Sequence, residues 1–409
     1  MGLCIINGSK TLTPPEVVSN ETLSRHNLYG IVFNGTGNQG KPLYNAIDQK
    51  WVPATPTSPG VDTWKDLAPF NVRKCITDYD ASEAYKRKVL AYEGDSNYDS
   101  LKTAKTGDRM IEFPLGYYYR PNAWTFIVSP DPIEGFQPSP GHDLGNGNVL
   151  TAFRRSEFDM SYVSSVPRSI PGQGPWVSVT IADSMAALRN RGMYHQTFGM
   201  WCWINFLRLI KQGNLNSQLV NGMGMHTGNA TKTLVEDGIQ GLDGYVSLSG
   251  NNDVRTLGIQ NFYGHIWNFL HNVLVRSGTK VWTKKDFLNI SSFPTYANAI
   301  AEGWEELDIA IPDNSGNGRP ITGLAWNSNN PYALYPSMVN GSINWTDITV
   351  DYPESIGDCM WSRSNDPWSE VLVGGRAWDG LWDGSLEWGS SLPLSASHVA
   401  VGLAAVEAV

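Results

Sequence analysis

The sequence predicts an α+β fold in which strands predominate. Two observations carry this expectation. Glycine is abundant, at 41 residues, and tryptophan and tyrosine number 16 and 17 in a chain of 409, a composition that favours strands and structured loops over helix bundles. Only the stretch from about residue 183 to 213 carries two successive helical patterns, while aromatic and β-branched runs such as MIEFPLGYYYRP and AWTFIVSP read as strands.

Composition also excludes some classes. The net charge is −9 and no Lys/Arg run is present, which argues against nucleic acid as a partner. No apolar run approaches the ~20 residues of a membrane span, so no membrane insertion is expected. The start, MGLCIINGSK, is too short and polar for a signal peptide, and Ile6 stands where a myristoylation motif needs Ser or Thr. Synthesis in the cytoplasm is expected. Cys4, Cys75, Cys202 and Cys359 show no CxxC spacing; they read as buried thiols, neither a zinc set nor a disulfide scaffold.

Residues 1–60 are rich in Gly, Asn, Pro and Thr, with strand candidates at Leu3–Ile6 and Tyr29–Phe33 and a Pro-rich linker over Pro53–Pro59. This segment reads either as an attachment or oligomerisation piece or as an extension packed on the main domain. Residues 61–165 form a β-rich portion, and residues 166–409 the main domain. His142–Asp143 lies in a Pro/Gly loop and reads as a solvated turn, since catalysis needs converging partners.

The first helix is expected to begin at Asp183 as N-cap and run to Gly192, with Ile181, Met185 and Leu188 facing the core. The second covers YHQTFGMWCWINFLRLIKQG. Tyr194, Phe198, Trp201, Ile204 and Ile210 fall near one stripe, Trp203, Phe206 and Leu207 widen it, and Gly213 closes it with Lys211 favouring the C-terminal dipole. His195 reads as a core or cap residue. Farther on, HIWNFLHNVLV reads as strand or short helix. His265 and His271 are six apart, which on a helix points them about 120° from one another and supports no metal pair. KVWTKKDF, TGLAWNS, ALYPSMV and WTDITV continue the strand-and-loop pattern.

The last stretch, residues 358–409, differs in kind. Trp361, Trp368, Trp378, Trp382 and Trp388 are interleaved with Gly, Ser, Asp, Asn and Arg. Glycines at this density rule out a stable helix, each costing about 1 kcal/mol against Ala. Rigid aromatics among small polar residues make the composition of a binding surface. Trp361 and Trp378 are expected in the core, and Trp382 and Trp388 to be exposed. Asp379, Asp383 and Glu387 sit four apart and would share a helical face suited to glycoside hydrolysis, but Gly380, Gly384 and Gly389 exclude that helix, and the three carboxylates are expected to point outward.

An ordered set of segments over residues 60–409 resembles the variable proteins of diversity-generating retroelements and related bacteriophage receptor-binding proteins: MIEFPLGYYY, VSPDPIEGFQPSP, the helix ending in NSQ, LGIQNFYG, GHIWNF, Gly374–Gly375 and the terminal VGLA. Their fold is C-type-lectin-like with a core shared with formylglycine-generating enzymes. The resemblance implies a non-enzymatic display protein of a virion, synthesised in the cytoplasm and carried on a phage tail. Its C-terminal face would be rewritten by adenine-directed mutagenesis and bind a protein or glycan on a bacterial surface, and a homotrimer would be in keeping with it. Mapped onto this chain, GDCMW and LVGG form the bed, and the variable positions are Ser362, Arg363, Ser364, Asn365, Asp366, Arg376, Trp378, Asp379, Leu381, Trp382, Asp383, Trp388, Ser390, Ser391, Ser395, Ser397 and His398. No cofactor is implied; a structural calcium ion is compatible with the scaffold, and no EF-hand pattern gives it a site. The sequence departs from the family's pattern at Gln260, where Glu is usual, and at Gly402-Leu403-Ala404, which lacks the terminal Arg. Cys359 has no neighbouring Cys to make a formylglycine-type active site. The competing readings are a carbohydrate-active or formylglycine-generating-type enzyme and a structural virion component.

Overall fold

A computed structural model describes residues 27–34, 37–225, 232–236, 238–248, 252–341, 356–363, 368–375 and 384–409. Strands take 35% and helices 12%, and one sheet curls into a half-barrel, so the class is α+β with strands dominant. Among the described residues no helix is long and apolar enough to cross a membrane.

The organising element is the helix Phe198–Gln212. Every residue in it is buried, so the apolar stripe expected from the sequence is a full circumference. Thr197 caps it, its Oγ accepting from the Met200 N–H, and Gly213 ends it at φ 69°. On one side Phe206 packs against Tyr118 and Phe126 of a five-stranded sheet, with ring centroids 5.6 and 5.2 Å apart. Near its N-terminus, Phe198 and Trp201 meet Trp388 of a nine-stranded sheet, at 6.0 and 6.2 Å. Burial of each such ring contributes roughly 2–3 kcal/mol, which makes the helix the common core of both sheets. Tyr194 and His195 do not belong to it. They pair as a short strand with Val406 and Ala405, because the chain's end supplies an edge that helix propensity cannot match. Lys211 is also more than a dipole partner: it is buried between Asp62 and Asp243, 2.7 Å from each.

The preceding helix spans Ile181–Arg189 and buries Ile181, Met185 and Leu188 as expected. Its cap is Thr180 rather than Asp183. The Thr180 Oγ accepts from the Asp183 N–H at 3.1 Å and donates to the Asp183 carboxylate at 2.8 Å, a reciprocal arrangement at the helix start.

A third, six-stranded antiparallel sheet has the order Tyr194–His195, Ala405–Ala408, Ala152–Ser156, Asp108–Pro114, Arg73–Tyr79, Arg87–Tyr92. It joins residues on both sides of position 165, and one core runs from Tyr29 to Ala408. One sheet and one core therefore span position 165/166. The expected linker Pro53–Pro59 is likewise a packed turn: Ala54 is buried, its N–H donates to Asp243 O, and its carbonyl accepts from Tyr245 N–H. Tyr29–Val32 is a strand as expected. Leu3–Ile6, Cys4 and WTDITV lie outside the described residues.

The nine-stranded sheet carries the C-terminal segment. Its order is Glu305–Glu306, Lys280–Thr283, Trp267–Arg276, Ser369–Val373, Trp388–Ser390, Cys359–Ser362, Arg319–Leu324, Pro336–Val339, with Val401–Gly402 pairing in parallel to Trp267–Asn268. HIWNFLHNVLV thus resolves as strand. His265 is held by Asp159 at 2.8 Å. His142 is fully buried, bonded through its ring nitrogens to Ser139 Oγ and Phe113 O. The solvated turn expected there is a sealed one, its Asp143 bound to Lys285 at 2.7 Å.

Candidate functional site: the C-terminal segment

Three buried strands form the bed. Met360 pairs with Trp388 and Ser362 with Ser390 in parallel, while Leu372 and Val373 pair antiparallel with Gly389 and Trp388. These strands are covered on both faces, a situation in which side-chain alternation no longer reports exposure. Gly374 and Gly375 end the strand Ser369–Val373 at φ 87° and 65°. A side chain on Gly374 would press on Phe262 O, and its carbonyl accepts from Gly264 N–H at 2.7 Å.

Several positions expected on the surface belong to this bed. Trp388 is fully buried and is edge-on to Phe198 and Trp201. Ser362 is buried by a reciprocal clasp with Asn314: its N–H donates to Asn314 Oδ1 at 2.7 Å and its Oγ accepts from Asn314 N–H at 3.0 Å. Ser390 is buried with its Oγ toward Trp361 O. Glu387 points inward, not outward, with the Cys359 Sγ 3.6 Å from its Oε1. Trp361 is half-buried and sits edge-on to Trp267, 5.5 Å away. Cys75, Cys202 and Cys359 are buried and stand outside any disulfide.

Ser364, Asn365, Asp366, Arg376, Trp378, Asp379, Leu381, Trp382 and Asp383 lie outside the described residues. The strand ends that flank them are described, and they divide. Because Ser369–Val373 runs opposite to its neighbours, Ser362 and Ser369 stand at the Ser390 end of the bed, while Val373 and Gly374 stand at the Trp388 end.

The Ser390 end presents the remaining positions. Arg363, Ser395, Ser397 and His398 are exposed and Ser391 is half-buried. The backbone beneath them is pinned. Pro393 bridges to Ser369, Leu392 O accepts from Glu370 N–H at 3.1 Å, and Leu392 and Leu394 pack onto the apolar cluster of Trp267 and Phe269. His398 O accepts from Ser178 N–H and Val401 N–H, both at 3.0 Å. Exposed Ser395 and Ser397 thus sit on a backbone that is held at both ends, and His398 Nδ1 accepts from Ala400 N–H at 3.1 Å.

Two buried acids support the bed. Asp358 Oδ2 accepts from Leu386 N–H at 2.8 Å; burial raises its pKa to about 7 against the pull of that bond and of Arg208. Glu370 is buried with neither carboxylate oxygen hydrogen-bonded among the described residues, and desolvation raises it to about 9. Both side chains are fully buried. Among the described residues no group of three or more His, Cys, Asp or Glu is placed to hold a metal ion.

Sequence reasoning missed a second cluster, in which Arg73, Arg87, Arg154, Arg168 and Arg191 interlock with Asp78, Asp108, Glu112 and Glu407. The signal was slight: a lone carboxylate inside an otherwise apolar strand run, Glu112 in MIEF and Glu407 in the terminal AVEAV. No protein-family model matches the chain, and no curated protein matches it.

Proposed function

We propose that this chain is a non-enzymatic display protein whose C-terminal segment binds a protein or glycan on a bacterial surface. The observation that carries this reading is the Ser391–Val399 stretch, where exposed Ser395, Ser397 and His398 sit on a backbone anchored to the buried bed, with exposed Arg363 bonded through its N–H to Ser390 O at the same end. Ser and Arg side chains on a rigid support suit adaptable polar recognition. The C-type-lectin-like fold, the phage virion and the retroelement belong to the same proposal, and their support is the ordered run of resembling motifs from Met110 to Ala404.

The fourfold variant Arg363→Ala, Ser395→Ala, Ser397→Ala, His398→Ala tests it. The four residues are exposed, so the melting temperature should stay within a few degrees of the parent, while adhesion to host cells should fall by about tenfold or more. Unchanged adhesion would overturn the assignment of this end of the bed. Comparison of sibling genes tests the diversification: differences should concentrate at adenine positions of a template repeat and spare the codons of Met360, Leu372 and Val373.

A further inference from the structure

We propose that the ligand is a neutral glycan and that one of its sugar rings stacks on Tyr162, beside the C-terminal loop; this rests on the reading of that loop as a recognition surface. Tyr162 stands on the hairpin of strands Ser161–Val163 and Val166–Arg168. Its ring lies close to parallel with the Trp176 indole, with centroids 4.3 Å apart and planes 23° from one another. The residue is 47% exposed although the indole takes one face of its ring, so the outer face and the hydroxyl edge are what meet solvent. A single exposed ring needs no explanation of its own. The support, position and surroundings of this one assign it a ligand.

The base beneath the ring is fixed. Trp176 N–H donates to Met160 O at 2.6 Å, and Met160 N–H donates to Leu403 O at 2.9 Å. The second strand of the hairpin is fastened by Arg168, whose Nε donates to Asp108 at 2.9 Å. A tyrosine already packed on one face has few torsions left to lose on binding. The ring also stands next to the loop. Trp176, Leu392 and Leu394 rest on one apolar cluster, that of Trp267 and Phe269. Two residues beyond Trp176, Ser178 N–H donates to His398 O at 3.0 Å. Platform and loop are therefore neighbours on a shared support.

Their surroundings favour a neutral ligand rich in hydroxyls. Residues 161–180 and 391–402 together contain nine Ser or Thr and one residue of fixed charge, Arg168. That guanidinium is engaged by Asp108 and by the Lys105 and Gly107 carbonyls, so these segments offer a charged ligand little to pair with. Ser164, Ser165, Ser178, Ser395 and Ser397 are exposed. A hydroxyl both donates and accepts, which matches the hydroxyls of a sugar. His398 Nδ1 accepts from Ala400 N–H at 3.1 Å, which places the proton of the neutral imidazole on Nε2 as a further donor. The C–H face of a pyranose is apolar and weakly positive, and so complements the negative face of the phenol ring.

The experiment is adhesion of the full chain to host cells that are untreated, oxidised with periodate, which cleaves the vicinal diols of sugars, or digested with protease. Periodate should lower adhesion by about tenfold or more. On untreated cells Tyr162→Ala should do the same, with a melting temperature within a few degrees of the parent because the residue is exposed. Tyr162→Trp, which keeps a ring, should adhere as the parent does. Tyr162→Leu separates a platform from a mere cover: leucine still shields the Trp176 indole but has no π-face, and it should fail as alanine does. The proposal stands if both periodate and Tyr162→Leu lower adhesion, and is overturned if either leaves it unchanged. Adhesion that survives periodate, is lost to protease and falls in the fourfold loop variant would end the glycan and keep the loop as a recognition surface for protein. Unchanged adhesion of the fourfold variant is the separate failure of the reading on which this one rests.

Discussion

Glu370 shows how far a single residue can bias the whole chain. Its carboxyl is raised to about 9 by burial, from the ordinary range near 4.5. In the window between those values the unfolded chain has released the proton and the folded chain has kept it. Folded stability from this group is therefore complete below the ordinary value and declines as pH rises, by about 1.4 kcal/mol per unit. Asp358, raised to about 7, acts in the same direction over the lower part of that window. Chemical denaturation at pH 6, 7 and 8 should show the parent losing stability with rising pH. Glu370→Gln should flatten the slope and be the more stable protein at pH 8; an unchanged slope would show that the carboxyl does not carry the effect. Neither Glu370 nor Trp388 was legible as a buried residue in the sequence. Each has polar or glycine neighbours along the chain, and a strand covered on both faces gives no alternation from which to read the inside.

At the scale of elements, what the sequence revealed was periodicity and what it concealed was partnership. The helix Phe198–Gln212 was legible because its apolar residues recur at helical spacing and Gly213 closes it. Its start was misread by four residues because Tyr194–His195 answers to a strand more than 200 residues away. Caps and crowded glycines give this scale its predictions. Thr197→Ala removes the acceptor for Met200 N–H and should cost about 1 kcal/mol. Gly384→Ala should cost more, about 3 kcal/mol, because an added Cβ would overlap Asp358 Oδ1 in a segment that cannot shift away from the bed. Urea denaturation of the two variants should place them in that order. Composition singled out the C-terminal segment, but it could not tell the buried strands from the exposed positions between them. That distinction depends on which strands are central, and centrality is a property of sheet order.

For the whole molecule, the row Arg73, Glu112, Arg154, Glu407 matters most. These four residues lie opposite one another on adjacent strands, with alternating sign. Glu407 further accepts from Thr77 Oγ and Arg87 Nε, at 2.7 Å each. Glu407→Ala would leave Arg87 and Arg154 buried with reduced compensation and should cost roughly 3–5 kcal/mol, read as a fall in the denaturation midpoint. A loss below about 1 kcal/mol would mean that the row adds little to holding the last strand. Composition marks off residues 61–165 from residues 166–409 without showing that strands of the two share a sheet. The pairing of residues 152–156 with 405–408 is invisible to any local window.

The clasp on the final strand sets a rule for what the loop before it is free to change. Ser395 and Ser397 can be exchanged letter by letter, since they are exposed, whereas His398 also accepts from Ala400 N–H through its Nδ1 at 3.1 Å. The number of residues cannot change. From Val401 the chain pairs beside Trp267 and then enters the last strand with Val406 facing the core and Glu407 facing the arginines. One residue inserted or deleted, carried into that strand, would exchange the two faces, setting a carboxylate in hydrocarbon and a valine among guanidinium groups. Natural diversity here should therefore consist of substitutions at constant length.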